Sequence, residues 1–248
     1  MVLVTGGTHG IGAACVRRLA GAGAHVVFTG RDEAAAEALM AEAVGARFVA
    51  GDAASESDCL RAVGCALEIG GGRIAGLVNN AGMTARQTFA QSTLADWDRI
   101  MAVNTRSAYL FTRHALAGLE AGQGSVVMMS SIAGKVGEEG LALYTASKAA
   151  LIGFTQALAL EIGAKVRVNA ICPGQIETRM MAKTLTVPGR RELLQSRIPS
   201  NRLGTPEDIA EAVFWLLSPL SSFVNGTVLT VDGGETAGLK NPAEPIAS

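Results

Sequence analysis

Three residues have the types and spacing for proton transfer: Ser131 in the segment MMSSIAG, and Tyr144 and Lys148 in LYTASKAAL. On a helix, positions i and i+4 share a face, so the Lys148 ammonium can stand beside the Tyr144 phenol. A cation there favours the phenolate and lowers a phenol pKa of about 10 by about 1–3 units. Such a tyrosine works as general acid or base near neutral pH, with Ser131 offering a hydroxyl to the same substrate oxygen. The spacing alone fits a solvated helix face equally well. What surrounds the trio decides between the two.

Short apolar, β-rich runs at residues 2–5, 25–29, 47–50, 74–79, 125–130, 166–171 and 227–231 predict about seven strands. Helical stretches lie between them, among them 13–20, 34–44, 94–119, 141–162 and 206–217. Strict alternation predicts an α/β fold, a doubly wound parallel sheet with helices on both faces, whose ligands bind at the carboxyl ends of the strands. Segment 175–202 breaks the rhythm with Pro188, Gly189, Pro199 and several basic residues, and is expected to be a substrate lid with one or two short helices. The catalytic unit is expected to span 1–235. The remaining tail, 236–248, carries two prolines and no periodicity, and is expected to be disordered or docked on a neighbouring subunit.

The first strand runs into Thr5-Gly6-Gly7-Thr8-His9-Gly10-Ile11-Gly12, which opens a helix. Glycines there let backbone approach a pyrophosphate resting on the free N–H groups and positive end of the helix. The second strand ends at Gly30-Arg31, where an NAD site usually carries an Asp or Glu, whereas an Arg accommodates the 2′-phosphate of NADP. Arg31 therefore favours NADP(H) over NAD(H), with His9 as a further donor, although Asp32 next door keeps NAD open. Asp52 either accepts from the adenine amino group or serves a turn or helix cap. Asn79-Asn80-Ala81-Gly82 closes the fourth strand, with Asn tying strand ends and Ala81 and Gly82 admitting the cofactor ribose.

Composition narrows the function further. The 248 residues are 49% hydrophobic and 17% charged, with a formal net charge of −1, which gives no basic excess for nucleic acid or anionic membrane. No run of 18 or more apolar residues occurs, and MVLVTGG enters a strand without signal-peptide features, so a cytoplasmic protein is expected. Cys15, Cys59, Cys65 and Cys172 lack metal-ligand spacing, and no metal or disulfide role is assigned.

These motifs, with Asn104 in IMAVNTRSAYLF, Pro173-Gly174 with Thr178, and a closing VDGG, resemble the short-chain dehydrogenase/reductases of the single-domain branch, near its 3-oxoacyl reductases. The resemblance covers residues 1–235 and implies a Rossmann fold, a homotetramer and a catalytic tetrad of Asn104, Ser131, Tyr144 and Lys148. Tyr144 would exchange the proton with the carbonyl or alcohol oxygen, and Ser131 would hold that oxygen. Lys148 would bind the nicotinamide ribose and lower the Tyr144 pKa, while Asn104 would position a water leading to solvent. The cofactor would lie along Gly6, Thr8, His9, Gly10, Ile11, Gly12, Arg31, Asp52, Asn80, Ala81, Gly82, Tyr144, Lys148, Pro173, Gly174, Ile176 and Thr178. Thr178 also reads as a helix N-cap.

Two departures stand out. Ala75 replaces an Asp common in the family, and Leu119-Glu120-Ala121-Gly122-Gln123 lacks the basic residues that carrier-protein-dependent members place there. Adjacency to the motifs makes Met83, Ile132, Ala133, Val136, Leu141, Gln175, Met180 and Met181 the expected substrate-facing positions. They are mostly apolar and suit a ketone or 3-oxoacyl compound. The expected activity is an NADP(H)-dependent carbonyl reduction, reversible as alcohol oxidation. The alternatives are a non-catalytic NADP(H)-binding sensor or scaffold and an NAD-dependent alcohol dehydrogenase.

Overall fold

The computed structural model describes residues 1–238, so the tail from 239 onward lies outside the described residues. Seven parallel strands form one sheet in the order β3-β2-β1-β4-β5-β6-β7: β1 (Val2–Val4), β2 (Val26–Gly30), β3 (Ala46–Ala50), β4 (Gly76–Asn79), β5 (Ser125–Met129), β6 (Arg167–Pro173) and β7 (Val228–Val231). The chain winds outward from β1 to β3, then returns to place β4 on the other side of β1. The connections leaving β1 and β4 therefore diverge and open a crevice at their carboxyl ends.

Side chains alternate across each strand. Val2, Val4, Val26, Phe28, Val127 and Met129 face one core. Packed on that core are α1 (Gly10–Gly21), α2 (Glu33–Glu42) and α10 (Pro206–Leu217). Leu3, Val27, Val126 and Met128 face the opposite core, covered by α3 (Glu56–Ile69), α5 (Ser107–Ala121) and α7 (Ala142–Glu161). Both faces of the sheet are dry, which is why these strands read as unbroken apolar runs.

The helix expected at 94–119 runs without a break from α4 (Leu94–Met101) into α5, with one turn of π-helix at Ala102–Arg106 between them. Helix α3 buries small residues, Cys59, Ala62, Val63 and Ala66, at helical spacing. Shorter pieces complete the site region: α6 (Ala133–Val136), then α8 (Arg179–Leu185) and α9 (Arg190–Arg197) within 175–202. That segment encloses a core of its own, with Leu194, Ile198 and Leu203 buried and Met181 and Leu185 against them. A single bridge between Ile176 and Gly204 ties its two ends together.

Candidate active site

The crevice is built by backbone and by missing atoms. Asn80 Nδ2 donates to the carbonyls of Thr5 (3.0 Å) and Gly6 (2.9 Å), while Thr5 Oγ1 accepts from the Asn80 and Ala81 N–H groups at 3.0 Å each. The ends of β1 and β4 are thus knotted. Gly6 sits at φ +64°, and a Cβ on Gly12 would lie 2.1 Å from the Gly6 carbonyl oxygen, so this turn closes only with glycine. His9 occupies the N-cap position of α1 without capping it through its side chain, which leaves first-turn N–H groups facing the crevice. Ile11 packs at the rim of the adjacent core. Such a cradle fits a dinucleotide, its pyrophosphate against the α1 N-terminus.

At the end of β2, Arg31 is exposed. A Cβ at Gly30 would stand 2.5 Å from Thr8 Cγ2, so Thr8 leaves no room for a longer side chain at position 30. Asp32 Oδ1 accepts from the Ala35 N–H at 3.1 Å and caps α2, while Oδ2 lies 2.8 Å from His9 Nε2. These contacts hold its carboxyl below the usual range, the Ala35 N–H most of all and Arg179 least. Asp52 is exposed after β3 and turns the chain by accepting from the Ala54 N–H at 2.9 Å.

The proton-transfer candidates converge from three elements. Asn104, buried in the π turn, accepts from the Met83 N–H (2.8 Å) and donates to the Met83 carbonyl and Ser147 Oγ (both 2.9 Å). Lys148, on α7, is buried and donates to the Met129 carbonyl at 2.7 Å, and its own carbonyl accepts from Ser130 Oγ at 2.8 Å. Its Nζ lies 5.7 Å from the Tyr144 ring centroid. Gly82 stands against it: a Cβ there would be 3.3 Å from Lys148 Nζ. Ser131, after β5, lies near enough to the Tyr144 phenol to influence its ionisation and accepts from the Ala133 N–H at 3.1 Å.

The electrostatics correct one expectation. In the protein alone the Tyr144 phenol is shifted up, not down, because burial outweighs the opposing influence of Ser131, while Glu138 and Cys172 push the same way as burial. Burial lowers Lys148 to about 8, against a small opposing influence from Cys172. The lysine therefore titrates near neutral pH and the tyrosine stays protonated beside it. Cys172, buried at the end of β6, has its thiol raised by burial. It lies near Tyr144 and Lys148, directly before Pro173-Gly174 in the chain.

Above these residues runs the 175–202 segment. The Gly174 N–H donates to the Val231 carbonyl at 3.0 Å, and a Cβ at Gly174 would strike Asp232 Cβ at 2.6 Å, which fixes Pro173-Gly174 against the loop after β7. Ile176 is buried. Thr178 precedes α8 without capping it through its side chain, and its methyl group lies 3.2 Å from where a Gly10 Cβ would be. The segment thus crosses the crevice onto the glycine turn.

Of the expected substrate-facing positions, Ile132, Ala133 and Leu141 are buried, Met83, Gln175 and Met181 partly so, and Val136 and Met180 exposed. Charged groups missed by sequence reasoning stand among them. Arg86 pairs with Glu138 and donates to the Glu139 carbonyl, while Arg197 Nη2 lies 2.7 Å from the buried carboxylate of Glu235. Burial pushes the Glu235 carboxyl up. A cavity of about 160 Å³ lined by Gln175, Ser200, Arg202 and Asp232 lies at the segment's base and includes none of the proton-transfer residues.

Residues 6–236 match the family model described as enoyl-(acyl carrier protein) reductase. The 2-(S)-hydroxypropyl-CoM dehydrogenase 3 of Xanthobacter autotrophicus is 39% identical, with 96% of each chain covered. An acetoacetyl-CoA reductase of Synechocystis is 40% identical over 94% of this chain and 95% of the relative. The chain belongs to the short-chain dehydrogenase/reductase family. A solved member from Brucella melitensis, described as a short-chain dehydrogenase/reductase of glucose/ribitol dehydrogenase type, superposes with a TM-score of 0.90 at 33% identity, covering 94% of this chain and 95% of its own. Membership makes this chain an oxidoreductase resembling the 3-oxoacyl reductases, and a short-chain dehydrogenase/reductase implies a nicotinamide cofactor. Among the described residues no helix is long and apolar enough to cross a membrane.

Proposed function

We propose that the chain is an NADP(H)-dependent carbonyl reductase, reversible as an alcohol dehydrogenase, acting in the cytoplasm on apolar ketones or 3-oxoacyl compounds. The observation that carries this reading is Tyr144 with Ser131 and buried Lys148 beside it, at the mouth of a dinucleotide cradle. Bound nicotinamide supplies or accepts the hydride. Tyr144, kept protonated by burial, donates its proton to the carbonyl oxygen, and the Ser131 hydroxyl hydrogen-bonds that oxygen as its charge develops. Lys148 beside the ring offsets the negative charge left on the phenolate and is positioned for the nicotinamide ribose. Asn104 positions Met83 and Ser147, and a water beside it links Lys148 to solvent. In the oxidative direction each proton retraces its path.

NADP(H) is favoured by three observations: Arg31 is exposed, position 30 has no room for a carboxylate, and Asp32 already spends acceptor capacity on Ala35 and His9. Exposed Phe89, Leu94, Trp97 and Tyr109, and separately Leu220 and Phe223, support a homotetramer that covers them.

The test is nicotinamide absorbance with both cofactors across a panel of ketones and 3-oxoacyl esters, comparing the wild type with Arg31→Asp. Preferential NADPH oxidation that Arg31→Asp shifts toward NADH is expected. Tight NADPH binding without turnover on any carbonyl would favour the sensor reading, and equal NADPH preference in both proteins removes Arg31 from selection.

A further inference from the structure

One contact joins the two sides of the crevice. Arg179, at the start of α8, reaches His9 in the glycine turn, 170 residues away, and its Nη1 lies 3.6 Å from Asp32 Oδ2. His9 Nε2 is itself 2.8 Å from that same oxygen. One ring nitrogen carries either a proton or an in-plane lone pair, so His9 Nε2 cannot accept from Arg179 while donating to Asp32. The other oxygen of Asp32 is held by the Ala35 N–H. Either Arg179 or Asp32 is therefore left without its hydrogen bond to His9. The cluster's charge is unbalanced too: Arg179 and His9 meet one carboxylate, exposed Arg31 precedes that carboxylate in the chain, and protonation of His9 only widens the excess. A phosphate, with several acceptor oxygens and up to two negative charges, supplies what is missing.

Two phosphate groups of a dinucleotide come within range, the pyrophosphate at the α1 N-terminus and the 2′-phosphate at the end of β2. Asp32 and His9 meet beside Gly30-Arg31, and the Arg179 guanidinium has already reached them, which places it on the 2′ side.

We propose that Arg179 selects the cofactor: together with Arg31 and His9 it holds the 2′-phosphate of NADP(H), and that phosphate fastens the 175–202 segment over the crevice. The inference rests on the NADP(H) reading above and adds a consequence to it. The segment closes on NADPH and stays loose on NADH, which offers Arg179 no phosphate at that position. Its side chain is 70% exposed, so substitution leaves the fold intact.

The experiment compares wild type, Arg179→Gln and Arg179→Lys by fluorescence titration with NADPH, NADH and adenosine 2′,5′-bisphosphate, and follows amide exchange over residues 179–197. Arg179→Gln is expected to weaken NADPH and the bisphosphate about tenfold or more, as loss of a charge-assisted contact implies, and to leave NADH within about twofold. Arg179→Lys should recover part of the loss. NADPH, but not NADH, should slow exchange in 179–197 of the wild type, and Arg179→Gln should abolish that difference. Equal weakening of NADPH and NADH assigns Arg179 to the pyrophosphate and overturns the proposal; unchanged affinity for all three ligands makes the contact a surface ion pair and overturns it as well. A wild type that prefers NADH defeats the cofactor reading itself, an outcome visible before any variant is made.

Discussion

Beneath the cofactor crevice, Asn104, Ser130, Ser147 and Lys148 are each less than 5% exposed, and each side chain has a hydrogen-bond partner on another segment of the chain. Above it, the 175–202 segment joins the main core only at Ile176, packs Leu194 and Ile198 with Leu203 in a small core of its own, and is otherwise held by exposed pairs such as Arg191 with Glu177 and Arg202 with Asp208. Buried polar networks are costly to leave half satisfied, so the floor is welded to the stability of the whole sheet. Exposed ion pairs contribute little, and a three-residue core opens without unfolding its neighbours. Groups that set the reaction thus sit where the protein is stiffest, and groups that meet the varied part of a substrate sit where it yields.

Changing single residues tests this contrast. The largest effect is expected for Tyr144→Phe, which keeps the ring and removes the proton: turnover should fall about 10²–10⁴-fold while the melting temperature and nicotinamide affinity hold, and substantial remaining turnover would remove Tyr144 from the chemistry. Next, Asn104→Ala strands the Met83 N–H and carbonyl together with Ser147, and denaturant unfolding should show a loss of about 2–4 kcal/mol. A loss below about 0.5 kcal/mol would mean that the floor is not the rigid part.

Lys148 supplies a pH test. Its folded pKa of about 8 lies below the ordinary 10.5. Between these values the unfolded chain binds more protons than the folded one, so this lysine's contribution to stability rises with pH through the window. Below about 8 its burial penalty is present in full. The stability of wild type relative to Lys148→Met should therefore be flat below pH 8 and climb above it; a constant difference would mean that the pKa is not depressed. The smallest global effect belongs to the roof. Leu194→Ala should hardly move the unfolding midpoint yet speed amide exchange across 179–197 about tenfold or more, whereas a large drop in midpoint would make roof and floor one cooperative unit.

The floor was more legible than the roof for a physical reason. Glycines 6, 10, 12 and 82 act by lacking a side chain, and Tyr144 and Lys148 act at a fixed helical spacing, so each leaves a local mark. The seven strands were visible because both sheet faces are buried. The direction of the Tyr144 shift was misread because a spacing reports a neighbouring charge but not desolvation. Glu138, Glu235 and Arg179 acquire their neighbours only through tertiary contacts, and no local pattern announces them.

The π turn at Ala102–Arg106 has a consequence for chain length. It accommodates about one residue more than an α-helical turn, and each residue of an α-helix rotates the chain about 100°. Helix α4 packs toward α7, whereas α5 packs toward α3 and β4. The extra residue is the phase shift that lets one continuous helix face both ways. Deleting any residue of the turn would restore regular winding and swing Phe111, Ala115 and Leu119 out of the core they fill. The number of residues between Ile100 and Phe111 is therefore as much a component of this site as the side chain of Asn104.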